Sequence, residues 1–160
     1  MTIQIGDRIP NITLAVMTPD GPAERTTDEI FAGKKVVLFA LPGAYTPTCS
    51  QAHLPGYVVH HDAIVAKGVD TIACLSVNDA FVMGAWGEAQ NAGDNILMLA
   101  DGSGAFTEAV GLELDLTDHH MGVRSQRYAM VVDDGVVTHL KVEEGGGFKV
   151  SDAETVLGLL

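Results

Sequence analysis

Lys35-Val36-Val37-Leu38-Phe39-Ala40 is a continuous apolar run, and it limits the possible folds more than any other segment. An unbroken run of this length reads as a strand covered on both faces, so helices must flank the sheet that holds it. Two further strand-like runs lie at 69–77 and 95–100, with helical segments at about 48–66, 79–92 and 103–110. That alternation implies parallel βαβ units. The C-terminal third differs. Strand-like runs at 127–132 and 136–142 flank Asp133-Asp134-Gly135, and a short Asp-Gly connection between β-branched runs signals a hairpin. Gly145-Gly146-Gly147 reads as a loop. Ser151-Asp152-Ala153-Glu154 has the Ser-x-x-Glu pattern of a capping box before a last helix. The expected fold is α/β: one domain over residues 1–160, with a mixed central sheet flanked by helices.

Composition narrows the function. Nine Lys and Arg against 21 Asp and Glu give a net charge of −12, which argues against nucleic acid and anionic membranes as partners. No segment approaches the ~18 consecutive apolar residues of a membrane span. The first residues lack the basic stretch and apolar core of a signal peptide, so a reducing, cytoplasmic setting is expected. Two cysteines, Cys49 and Cys74, are too few for a disulfide scaffold or a four-ligand zinc site. In that setting each is either a buried small hydrophobe or a reactive thiol.

The segment Leu41-Pro42-Gly43-Ala44-Tyr45-Thr46-Pro47-Thr48-Cys49-Ser50-Gln51 follows the first strand directly. Thr46 suits an N-cap and Pro47 the first helical position. Cys49 then falls in the first turn, where unpaired backbone N–H groups and the helix dipole favour a thiolate. Pro55, inside the same helix, should kink it. A strand-to-helix turn also places Cys49 at the carboxyl end of a strand, where open α/β sheets carry their chemistry.

Pro42-x-x-x-Thr46-x-x-Cys49 resembles the active-site signature of peroxiredoxins, and the stretch from Thr46 to Ser50 is similar to the type II, or peroxiredoxin-5, group. The runs from Ala73 to Phe81 with Trp86, and from Arg124 to Val132, resemble later blocks of that group in the same order. The resemblance implies a thioredoxin-like fold and a cofactor-free, metal-free thiol peroxidase acting on hydrogen peroxide and organic hydroperoxides. It implies Cys49 as nucleophile, Thr46 as hydroxyl partner, Arg127 as the activating cation and Pro42 as a cover over the sulfur. Gly43, Thr48, Leu116, His120 and Met121 are expected at the substrate pocket. Arg124, three residues before Arg127, reads as structural or surface. Some group members carry a second, resolving cysteine before the last helix; Val150 stands near that place here. Cys74 reads as a core residue, with a resolving role as the alternative. Recycling by an external thiol is therefore expected, through glutathione and glutaredoxin or thioredoxin. The resemblance also suggests a homodimer. The same thiolate chemistry would serve a peroxide sensor that relays oxidation through a mixed disulfide at Cys49. The pairs His60-His61 and His119-His120 read as solvated or packing residues rather than metal ligands.

Overall fold

A computed structural model describes residues 1–160. Strands β3 (Lys35–Ala40), β4 (Thr71–Ser76) and β5 (Leu97–Ala100) run parallel at the centre of a seven-stranded sheet. On one side β3 pairs antiparallel with β8 (Tyr128–Asp133), which turns back into β9 (Val136–Val142). On the other side β5 pairs antiparallel with β1 (Thr13–Thr18), whose hairpin partner β2 (Gly21–Thr26) forms the edge. The order β2-β1-β5-β4-β3-β8-β9 is the mixed, thioredoxin-like sheet expected from the sequence. The β1–β2 hairpin was not anticipated, although Pro19-Asp20-Gly21 is a turn signal and Leu14 and Val16 alternate into the core.

The continuity of the β3 run follows from its two-sided burial. Successive strand residues point to opposite faces. Val37 and Phe39 enter one core with Leu54, Tyr57, Trp86 and both cysteines. Val36, Leu38 and Ala40 enter the other with Phe31, Phe106 and Tyr128. Helices α2 (Leu54–Val65), α3 (Ala80–Ala89) and α5 (Ala153–Leu157) contribute to the first core; α1 (Thr27–Phe31) and α4 (Ala105–Val110) contribute to the second.

Several element ends differ from the sequence reading. α3 starts at Ala80 because Asp79 caps it, accepting from Val82 N at 2.8 Å. α5 is capped by Asp152 and not by Ser151, whose own N–H and hydroxyl are engaged by Glu143. The residues before Arg127 do not join β8. They form a separate two-stranded ribbon, β6 (Glu113–Leu116) with β7 (Gly122–Ser125). Arg124 thus lies in β7 and Arg127 in the connection just before β8, and strand parity does not relate them.

The Phe39 ring stacks on Tyr57 with centroids 3.9 Å apart and meets His53 at 5.0 Å, joining β3 to the helix that carries the site. Phe39→Ala should cost ~3–5 kcal/mol in urea unfolding. A loss below ~1 kcal/mol would show that this contact is not what seats the helix.

Candidate active site

The loop leaving β3 is fixed before it reaches Cys49. Asn78 Oδ1 accepts from Ala44 N at 3.0 Å and from Ser76 Oγ at 2.6 Å. Thr46 stands where a helix cap should, since its carbonyl accepts from Ser50 N at 3.0 Å. Its hydroxyl does not cap the helix: it donates back to Gly43 O at 2.6 Å, which leaves its oxygen lone pairs uncommitted. Helical turns begin at Pro47 and widen into a π-helical stretch, Cys49–His53, in which Leu54 N donates to Cys49 O. Pro55 accounts for the widening. It has no N–H to donate, and in a regular α-helix its ring would collide with the Gln51 carbonyl. The conflict at Pro55 is thus absorbed by a π turn, one of the irregularities at which helices bend.

Cys49 is fully buried, and Arg127 Nη2 donates to its Sγ at 3.2 Å. Arg127 Nη1 lies 2.8 Å from His53 Nδ1. A guanidinium can only donate, so Nδ1 is the bare nitrogen and Nε2 carries the proton. That proton points to Ser151 O at 3.1 Å, and Tyr57 Oη donates to the same carbonyl at 2.7 Å. His53 is neutral: burial, with the Arg127 charge beside it, lowers its pKa from 6.5 to about 3. The Phe148 ring covers both partners, 5.0 Å from the His53 ring and 5.7 Å from the guanidinium carbon. No carboxylate pairs with Arg127; the structure's ion pairs are His60–Glu154 and His61–Asp62. The guanidinium charge is left for the sulfur and whatever binds beside it.

Arg124 reaches the same loop from the ribbon. Its Nη1 donates to Pro42 O at 3.2 Å and its Nε to Met121 O at 2.9 Å. The fit is close, since a Cβ on Gly43 would lie 2.8 Å from Arg124 Nη1 and 3.7 Å from Met121 Cε. Gly43 and Met121 therefore sit together with Pro42 and Thr46. Thr48 is exposed on the first helical turn, Leu116 is half-buried at the end of β6, and His120 is exposed in a left-handed turn. Cys74 is fully buried in mid-β4, in register with Phe39 and Met98. Burial, and then the nearby Cys49 charge, push its thiol well above the usual range.

The sequence reading missed His53, Phe148, Ser151 and Glu143. His53 alone had a usable signal: it lies four residues after Cys49, on the same helical face. Trp86 does more than pack: its indole Nε1 donates to Ser50 Oγ at 3.0 Å, next to Cys49.

Residues 4–157 match the Redoxin family model. The chain is 54% identical to rice Peroxiredoxin-2E-2, chloroplastic, covering 99% of this chain and 73% of the relative. The chain belongs to the peroxiredoxins. A crystal structure of reduced Prx3 from Vibrio vulnificus in complex with hydrogen peroxide superposes with a TM-score of 0.95, at 59% identity and 99% coverage of both chains. Peroxiredoxin 5 from Alvinella pompejana superposes at 0.86, with 35% identity over 97% of this chain and 96% of that one. The family makes the chain a thiol-dependent peroxidase, in agreement with the type II resemblance in the sequence.

The neutral His53 sets a pH dependence of folding. Its native pKa lies below its unfolded value of ~6.5, so its contribution is complete above that pH and is lost as pH falls toward about 3. Between pH 7 and pH 5 the loss should be about 2 kcal/mol. His53→Gln keeps an acceptor and a donor but cannot titrate, so urea unfolding at both pH values should show a smaller drop for the variant by about that amount. Equal drops would mean that His53 is not held neutral.

Proposed function

We propose that Cys49 is the nucleophile that reduces hydrogen peroxide and organic hydroperoxides, with Arg127, Thr46 and Pro42 as its partners. The observation that carries this is the 3.2 Å contact from Arg127 to a fully buried sulfur, made by a cation with no carboxylate to neutralise it. The thiolate attacks one peroxide oxygen. A sulfur–oxygen bond forms, the O–O bond breaks and sulfur is oxidised to the sulfenic acid; the leaving oxygen takes from solvent the proton that the thiol gave up on ionising and departs as water or alcohol. Thr46 can accept the peroxide O–H on the lone pairs that its bond to Gly43 O leaves free. Arg127 donates to the oxygens as charge grows on the leaving one. Pro42, pinned through its carbonyl by Arg124, covers the sulfur against water. Gly43 and Met121 line the substrate side, with Thr48, Leu116 and His120 at its margin.

Magnitudes decide which effect dominates. A thiol of pKa ~8.5 is about 3% ionised at pH 7. Complete ionisation therefore gains at most ~30-fold, or ~2 kcal/mol, and part of that is lost because nucleophilicity falls with pKa. Donors preorganised on the peroxide must supply the rest.

The sulfenic acid is returned to the thiol by an external reductant: glutathione with glutaredoxin, or thioredoxin. Cys74 is a poor resolving group, being buried in mid-strand with its thiol held protonated. Val150 offers no sulfur, and its N–H is spent on Glu143. The cycle suits a reducing compartment such as the cytoplasm; no helix is long and apolar enough to cross a membrane. A second copy of the chain is a fitting partner for the exposed rings of Tyr45 and Phe81, 58% and 67% accessible.

Arg127→Met should slow Cys49 oxidation by more than ~30-fold at a pH where the thiol is fully ionised. Near-normal rates there would remove Arg127 from the mechanism. Intact mass after one equivalent of hydrogen peroxide should rise by one oxygen, requiring Cys49 but not Cys74. Loss of two hydrogens requiring both cysteines would make Cys74 the resolving thiol. Steady turnover with glutathione and glutaredoxin, or with thioredoxin, is expected; one-shot oxidation with lasting protein adducts would make the chain a sensor instead.

A further inference from the structure

Gly145-Gly146-Gly147 reads as a loop, yet the strap that it begins, residues 145–151, is anchored at its far end by one carboxylate. Glu143 directly follows β9. Its Oε1 accepts from Lys149 N at 2.8 Å. Its Oε2 accepts from Val150 N at 2.9 Å, Ser151 N at 2.8 Å and Ser151 Oγ at 2.6 Å. Gly145 and Gly146 take the positive φ values that let the chain fold back over its own carboxylate. The Glu143 N–H donates to the backbone carbonyl of Arg127 at 2.9 Å. One residue therefore holds the strap through its side chain and the arginine through its backbone.

The strap also touches the arginine from the other side. Phe148 covers the guanidinium, and the Ser151 carbonyl accepts the His53 proton, which leaves Nδ1 bare for Arg127 Nη1. We propose that Glu143 is a positioning residue for peroxide reduction: its carboxylate closes the strap, and the closed strap fixes His53 and Phe148 so that Arg127 stays aimed at Cys49. This rests on the reading that Arg127 activates the peroxide. A carboxylate suits the task for two reasons. It accepts several N–H and O–H bonds at once, and with its lone pairs spent on the strap it does not pair with Arg127.

The test is a double-mutant cycle on the full chain, reading single-turnover oxidation of Cys49 by hydrogen peroxide. The signal is the fluorescence of Trp86, the chain's one tryptophan, which is bonded to Ser50 beside Cys49. Glu143→Gln keeps the size but replaces one acceptor oxygen with an NH2 that faces donors. In the Arg127 background it should slow oxidation by ~10- to 100-fold, the scale on which small displacements of a reacting group act. In the Arg127→Met background the same change should alter the rate less than ~2-fold, since the residue it acts through is gone. An equal fold-loss in both backgrounds would make Glu143 a general structural residue and overturn the proposal. An unchanged rate for folded Glu143→Gln with Arg127 present would also overturn it. An Arg127→Met protein as fast as the wild type would instead overturn the underlying reading of Arg127, and the proposal with it. If circular dichroism shows Glu143→Gln unfolded, Ser151→Ala, which loses only the hydroxyl bond, takes its place. It should give a loss of a few-fold that vanishes in Arg127→Met, and no loss would overturn the proposal.

Discussion

A fully buried sulfur can hold negative charge only beside a cation, and the bond from Arg127 places one beside Cys49. The sheet delivers it. β3 and β8 pair antiparallel with Ala40 opposite Tyr128. The chain leaves β3 at Leu41 on its way to Cys49, and Arg127 immediately precedes Tyr128. One strand register therefore sets the start of the cysteine loop beside the arginine. That register is held by two-sided burial, since a slip of one residue would exchange the two core faces of β3. The chemistry depends on the packing through this pairing, although cysteine and arginine are 78 residues apart.

The partners chosen for Arg127 preserve its charge. A carboxylate would orient the guanidinium well, but the ion pair would cancel much of the field at the sulfur. Neutral His53 orients it with one lone pair, and Phe148 faces it with a ring whose π-cloud attracts cations without a formal charge. The acidic group that organises this corner, Glu143, has its oxygens turned to the strap. Burial works against its ionisation, and the Ser151 hydroxyl with the amides of residues 149–151 outweighs that and holds its carboxyl below the usual range.

What could be read from the sequence had local causes. The β3 run, the strand-to-helix turn at Cys49 and the β8–β9 hairpin show themselves in contiguous patterns, and the family signature marked Thr46 and Arg127. What escaped arises from distant contacts. The Ser151 capping box was locally sound, but Glu143, eight residues upstream, takes both Ser151 donors, and the cap passes to Asp152. Arg124 read as structural or surface because no local pattern says that it will reach the Pro42 carbonyl, 82 residues away. The π turn needed a weighing of Pro55 against a helix that packing keeps continuous, and a sequence pattern gives no measure of that packing.

The two cysteines separate burial from hydrogen bonding. Cys49 and Cys74 share one core and are both fully buried. Cys74 lies in mid-strand between other strands, where backbone groups are spent on the ladder and no side chain donates to its sulfur. Desolvation, reinforced by the nearby Cys49 charge, outweighs the pull of Arg127 and keeps the proton on. Cys49 lies where the chain passes from strand to helix, within reach of a guanidinium N–H. The same residue type in the same core thus has a bare or a hydrogen-bonded sulfur according to which donors its surroundings leave free. A nucleophile in this fold belongs at the end of a strand, where the sheet supplies rigidity without claiming every donor.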